Sequence, residues 1–194
     1  MKIVLIKNLQ SKMYYLPLLI SSLYIYIAVK KTQLQPGDQL PPDNVLKNVT
    51  INLMMTEIIF LLGWLFDPVT CDCSVSFVKV FLFYIAQDAY YYCVHKYIFH
   101  KFLHQWHSIH HEYILSFATW YCHPLEHIFL NLGSIIIPFW IFNNPPWILA
   151  IIIIQQVYTS IAGYNRKSHN GIHNEYLTKR FGSIYLLDYL NDTF

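Results

Sequence analysis

The sequence predicts an all-α, polytopic integral membrane protein with about four or five membrane helices and a cytosolic, histidine-lined metal site. Three observations carry that prediction. The 194-residue chain is 55% hydrophobic and only 12% charged, about half the charged share of a soluble globular domain, which is roughly 25%. Its apolar residues gather in five long stretches. All ten histidines lie after residue 94, and a membrane protein has little structural use for so many imidazoles in one half.

A membrane-crossing helix takes about 20 apolar residues, with roughly 17 tolerated. Met13–Val29, Ile51–Phe66 and Val75–Cys93 are the first three candidates. Ile128–Phe142 and Trp147–Gly163 flank Asn143-Asn144-Pro145-Pro146, a strong turn signal, so this pair reads as a helical hairpin. Its first arm is short enough to dip into the bilayer rather than cross it. Lys2, Lys7 and Lys12 ahead of the first run imitate a signal peptide. The run is long, however, and no small-x-small cleavage site follows, so an uncleaved anchor is expected. Residues 30–48, with Pro36-Gly37 and Pro41-Pro42, read as a polar connection. Two regions result: 1–74, an N-terminal membrane-anchor region with two predicted spans, and 75–194, which holds every histidine.

Counting spans places all ten histidines on one side of the membrane. The same alternation puts nine of the thirteen Lys and Arg there, namely Lys30, Lys31, Lys47, Lys96, Lys101, Arg166, Lys167, Lys179 and Arg180. Lys2, Lys7, Lys12 and Lys79 fall opposite. By the positive-inside rule the histidine side is cytosolic. The net charge of +2 is small and scattered, which argues against nucleic-acid binding. Cys71, Cys73, Cys93 and Cys122 show no C-x-x-C spacing, so unpaired thiols are expected rather than zinc, redox or disulfide cysteines.

The histidines fall into clusters: His95-x4-His100, His107-x2-His110-His111, His123-x3-His127 and His169-x3-His173. Residues four apart lie about 40° apart around a helix, so His123/His127 and His169/His173 can each share a face. His107, His110 and His111 fall within about 100° of one another. His100, His104, His107 and His111 would line one stripe if the helix ran unbroken. His95 and His100 are about 140° apart on an ideal helix and converge only near a helix end or a local distortion. Neutral imidazole binds Zn, Cu, Fe and Ni. A metal takes about four to six ligands, so this many histidines suggest two ions. No cysteine sits in the clusters, which argues against structural zinc or Fe–S. His104, outside the paired spacings, reads as an exposed interfacial residue, and Tyr90, Tyr91, Tyr92, Trp106 and Trp120 read as interface anchors. Asp88, two turns before His95, is a carboxylate inside a predicted span and so a functional candidate. Asp88, Glu112, Glu126 and Asp188 are the candidates to accept the second N–H of metal-bound imidazoles.

These boxes, in this order and between membrane hairpins, resemble the sterol desaturase/fatty acid hydroxylase superfamily. The resemblance covers about residues 75–194, and is carried also by Asp88-Ala-Tyr-Tyr-Tyr-Cys-Val-His95, His123-Pro-Leu-Glu126 and Phe181-Gly-Ser-Ile-Tyr-Leu-Leu-Asp-Tyr-Leu190. It implies that 75–194 is a hydroxylase-like catalytic region. It further implies two Fe ions, with Zn possible in a purified or degenerate form, and O2 as oxidant. Electrons would come from NAD(P)H through a cytochrome b5-type donor at the endoplasmic reticulum, for hydroxylation or desaturation of a sterol or fatty acyl chain. The metal ligands expected are His95, His100, His107, His110, His111, His123, His169 and His173, with no protein nucleophile. Three positions depart from the family pattern. Asn174 follows His173 where a second histidine is usual, Ile161-Ala-Gly-Tyr replaces a histidine-containing stretch after the hairpin, and the chain reads Leu190-Asn-Asp-Thr193 near its end. Asn174 could ligate through its carbonyl or a water, and His127 could substitute sterically. Two other readings stay open: a degenerate relative that binds lipid or metal without turnover, and a histidine-rich metal transporter, whose ligands should lie near the membrane midplane.

Overall fold

Pro41-Pro42 followed by Asp43 is a helix-start signal, because an acidic side chain in the first turn faces the positive end of the helix dipole. The first long helix, α1, runs over Asp43–Phe66, so residues 43–48 are helical where the sequence predicts a polar connection. The computed structural model describes residues 23, 43–66, 76–112, 120–142, 152, 155, 173 and 177–193, and among these the chain is helical with no β-strand. After α1 come α2 (Phe77–Cys93), α3 (His104–His107), α4 (Pro124–Glu126), α5 (Gly133–Ile141) and α6 (Leu186–Leu190). π-helical segments, Val94–Phe99 and His127–Leu132, continue α2 and join α4 to α5. A 3-10 turn, Ser108–His111, extends α3.

The predicted spans Ile51–Phe66, Val75–Cys93 and Ile128–Phe142 thus fall on helices. Met13–Val29 and Trp147–Gly163 lie outside the described residues, apart from Leu23, Ile152 and Gln155. One helical run among the described residues is long and apolar enough to cross a membrane: Pro124–Ile141, 18 residues. It starts earlier than expected because Pro124 occupies the first helical position, where its missing N–H costs nothing.

The helices bury polar side chains while exposing large apolar ones. On α1 the buried stripe is Val45, Val49, Asn52, Leu53 and Thr56, while Leu46, Ile51, Met54, Ile58 and Leu62 are exposed. On α2 the buried side chains are Phe83, Gln87, Asp88 and Tyr92, while Phe77, Val78, Phe81 and Leu82 are exposed. Phe129, Ile137, Trp140 and Ile141 are exposed on the Pro124–Ile141 run. Against water such a surface is unfavourable by about 25 cal/mol per Å2; against lipid it is neutral, and buried polar groups then join the helices.

Between α2 and α5 the contact is close. Phe83, Ile135 and Ile152 form a small apolar core flanked by Val80, Tyr84, Phe139 and Phe142. Higher up, Gly133 makes room for Tyr90: a Cβ there would meet the Tyr90 hydroxyl at 2.7 Å. That hydroxyl donates to the Phe129 carbonyl at 2.9 Å. Tyr84 donates to Gln155 Oε1 at 2.8 Å, tying α2 to a residue of the second predicted arm of the hairpin.

The C-terminal segment is tied down by two buried aspartates. Asp188 accepts the N–H groups of Phe181 (2.7 Å) and Gly182 (2.6 Å) and the Thr193 hydroxyl (2.8 Å). Asp88, from the middle of α2, accepts Ile184 N–H (2.8 Å) and Leu187 N–H (3.0 Å). Gly182 sits between both carboxylates, and an added Cβ would lie 2.7 Å from Asp88 Oδ1 and 2.8 Å from Asp188 Oδ2. Tyr185, with φ 68°, takes the left-handed conformation just before α6.

Candidate metal centre

His95 and His100 meet because the helix is not α-helical where they lie. Over Val94–Phe99 the backbone widens to a π-helix, and the N–H of His100 donates to the carbonyl of His95 at 3.0 Å. An i+5 bond brings residues five apart nearly one turn apart, removing the ~140° offset of an α-helix. Their rings lie 5.0 Å apart, centre to centre. The helix then ends. Leu103 leaves helical geometry at φ −114°, ψ 27°, so the unbroken stripe from His100 to His111 does not form. His104 stays at the edge, its ring 6.4 Å from that of His100. α3 and the 3-10 turn after it present His107 and His111 instead.

His107 is the hub. Its Nε2 lies 3.0 Å from the Nε2 atoms of His95, His100 and His111. His173, far along the chain, completes the group with its Nε2 3.1 Å from that of His100. One ligand atom from each of His95, His100, His107 and His173 falls within 4.8 Å of all the others.

What lies behind the rings fixes which nitrogen carries hydrogen. His95 Nδ1 is 3.0 Å from the Phe181 carbonyl, and His173 Nδ1 is 2.6 Å from the Lys179 carbonyl. A carbonyl can only accept, so both Nδ1 atoms are N–H donors. His107 Nδ1 lies 2.8 Å from Glu126 Oε1, the carboxylate–histidine pairing that orients metal-bound imidazoles. The Nε2 atoms of His95 and His173, and that of His107 opposite an ionised Glu126, therefore offer lone pairs, and those of His95 and His107 face each other across 3.0 Å. Without a cation between them that arrangement is repulsive. Nitrogens bound at about 2.1 Å and at right angles to one another are separated by about 3.0 Å. The donor set thus fits an imidazole-preferring transition-metal ion.

Burial reinforces this. It removes the water that would stabilise imidazolium, and the neighbouring imidazoles add repulsion. His95 and His107 are held well below the ordinary histidine range for these reasons. His100 is lowered to about 4 by burial, then by His104 and His110. His110 is lowered to about 4 by burial, then by His111. These rings are neutral at neutral pH, the form a metal requires.

Other expected site residues are placed differently. His110 turns Nδ1 toward the Tyr121 carbonyl at 3.3 Å, with its ring 5.8 Å from that of His107. His123 lies outside the group; it stacks on Trp106, 4.8 Å between ring centres, and its Nδ1 accepts the Leu125 N–H at 3.2 Å. His169, with Ile161 and Asn174, lies outside the described residues. Glu112 accepts the Tyr121 hydroxyl at 3.2 Å. Asp88 reaches the site one step removed, by holding the loop whose Phe181 carbonyl meets His95. The carbonyls of Phe181 and Lys179 carry no sequence signal, since every residue has one.

The sequence profile of the fatty acid hydroxylase family matches residues 80–193, well over half of the chain. The chain belongs to that family. Membership agrees with the superfamily resemblance read from the boxes. This fatty acid hydroxylase family member is 33% identical over 92 residues to the C-4 methylsterol oxidase of Schizosaccharomyces pombe, covering 39% of this chain and 30% of that protein. Two Dictyostelium discoideum proteins named as methylsterol monooxygenases match at 31% over 88 residues and 30% over 108 residues, covering 42% and 47% of this chain. The chain spans 30% to 40% of the length of these curated relatives. No solved structure matches it significantly.

Proposed function

We propose that this protein is a membrane-bound, O2-dependent oxidoreductase with two iron ions that hydroxylates or desaturates a lipid, either a sterol or a fatty acyl chain. The observation that carries the proposal is the convergence of imidazole lone pairs on one point with their opposite nitrogens anchored by carbonyl or carboxylate oxygens. Iron bound there would supply the dioxygen chemistry needed to attack an unactivated C–H bond. His95, His100, His107, His111 and His173 would hold the first ion. His110, His123 and His169 are the remaining donors for a second.

The residues around the ligands hold three of the imidazoles in the tautomer that keeps Nε2 free. Glu126 does so for His107, and the Phe181 and Lys179 carbonyls do so for His95 and His173. The exposed apolar faces of α1, α2 and the Pro124–Ile141 run support a polytopic arrangement in which an apolar substrate enters from the lipid. Hydroxylation consumes O2, two electrons and two protons, gives C–OH and water, and takes the electrons from NAD(P)H through a cytochrome b5-type donor. The positive-inside count supports a cytosolic side for that donor, and the family resemblance supports the endoplasmic reticulum. The names of the relatives make a methylsterol the first substrate to test.

Lipid profiling of cells expressing the chain, compared with a His107→Ala/His110→Ala variant, tests the reading. A hydroxylated or desaturated lipid in the first and not the second is expected; identical profiles overturn it. A second reading, a metal-binding relative without turnover, is motivated by Asn174 and Ile161. Metal analysis separates the two: two irons per purified chain favours the oxidoreductase, and one or none favours the relative without turnover.

A further inference from the structure

A second polar cluster lies beside the histidine group, and it reaches a helix that the family match does not include. α1 ends before residue 80, where the match to the family begins. Two of its buried side chains, Asn52 and Thr56, are polar, and a polar group buried among apolar helices needs hydrogen bonds. Both find them on the residues flanking Glu126, from Trp120 to His127. Asn52 Nδ2 donates to the Trp120 carbonyl at 2.9 Å and to the Cys122 carbonyl at 3.0 Å. The Cys122 carbonyl sits in irregular backbone just before Pro124, and the Trp120 carbonyl two residues earlier in a 3-10 turn. Thr56 Oγ1 lies 2.7 Å from His127 Nε2.

The direction of each bond can be worked out. The Thr56 hydroxyl donates to the Asn52 carbonyl at 3.0 Å, so toward His127 its oxygen accepts. His127 Nε2 therefore carries the hydrogen, and its Nδ1 is left to accept from Asn131 Nδ2 at 3.4 Å. His127 spends both nitrogens in this chain and has no lone pair to offer an ion. It is, however, the residue next to Glu126. Glu126 holds Nδ1 of His107, on whose Nε2 three other imidazoles converge.

We propose that Asn52, Thr56 and His127 form a polar clasp through which α1 positions Glu126, and thereby His107, for metal binding. The clasp rests on the metal-centre reading above. Its residues are positioning residues, since none of them touches the metal-binding nitrogens.

Full-length protein purified in detergent, titrated with Co(II) and followed by its visible absorption spectrum, provides the test. Thr56→Val, which keeps the shape and removes the acceptor, should weaken Co(II) binding about tenfold, the lower end of the range for outer-shell partners. Thr56→Ser, which restores the oxygen, should return the affinity to that of the parent. Glu126→Gln should weaken binding at least as much, and Thr56→Val/Glu126→Gln should be no worse than Glu126→Gln alone, because the hydroxyl acts through the carboxylate. Thr56→Ala and Asn131→Leu, which breaks the same chain at its other end, repeat the measurement if the valine variant does not fold. Unchanged affinity in the folded variants, or additive losses in the double variant, overturns the clasp while leaving the metal centre intact. Failure of the parent chain to bind Co(II) overturns the metal centre and the clasp together.

Discussion

Two buried histidines, His107 and His127, belong to neighbouring clusters in this molecule and have opposite chemistry. His107 and His127 are each shielded completely from solvent. Behind His107 stands a carboxylate, and in front of its Nε2 stand three other imidazole nitrogens at 3.0 Å. His127 faces a hydroxyl on one side and an amide on the other. The first ring presents a lone pair to other lone pairs; the second has given both nitrogens to neutral partners. Burial does not make a histidine a ligand. The acceptor behind the ring does, because it decides which nitrogen keeps its hydrogen.

The comparison can be broken most decisively at the hub. His107→Ala should reduce metal affinity by more than about 100-fold, beyond the range seen for outer-shell partners; metal content of the purified chain measures it. Glu126→Gln keeps the size of the side chain and should cost about 10- to 100-fold in the same assay. On the other side, His127→Ala removes a positioning residue and not a ligand, so it should weaken metal affinity by only about tenfold while lowering stability by about 1–3 kcal/mol, because Thr56 and Asn131 each lose a partner. A loss as large as that of His107→Ala would make His127 a ligand and erase the distinction.

Smaller effects sharpen the same contrast. Gly182→Ala inserts a methyl group between Asp88 and Asp188, at 2.7 and 2.8 Å from their oxygens. Two anchored carboxylates cannot both yield, so about 1–3 kcal/mol of stability should be lost, readable as a lowered unfolding temperature. The Phe181 carbonyl should move off His95 as the loop shifts. The smallest expected effect is in pH. His100 and His110 are lowered to about 4 in the fold, against about 6.5 in an unfolded chain. Between these values the unfolded chain binds more protons, so stability of the metal-free protein falls as pH drops from 6.5 toward 4. Above 6.5 these two groups contribute no slope. Thermal unfolding of the metal-free protein in detergent across pH 4–8 checks both statements, and a flat profile would show that the rings are not buried as neutral bases.

Much of this was written locally in the chain. Long apolar runs specify helices by composition, and α1, α2 and the Pro124–Ile141 run lie where those runs lie. Boxes with spacings of four, and their confinement to the second half, mark the residues that could bind metal. The spacing of five between His95 and His100 even demanded a distortion, which the π-helix at Val94–Phe99 supplies. Hydrogen-bond acceptors from the backbone are another matter. Any carbonyl can accept, so nothing in the sequence singles out Phe181 or Lys179.

The sequence by itself therefore determined the helices, the supply of imidazoles and the kind of ion they suit, because these depend on residue type and on neighbours within a turn or two. Tertiary structure alone decided which rings meet and which nitrogen each one offers. His95 is oriented by a carbonyl 86 residues away and His107 by a carboxylate 19 residues away. Asp88 matters through a loop 96 residues further on. His127, one residue from Glu126 and part of an inviting i, i+4 pair, is turned away from the cluster by a hydroxyl on α1. Tautomers are set by contacts across the fold, and contacts across the fold have no period that a sequence can display.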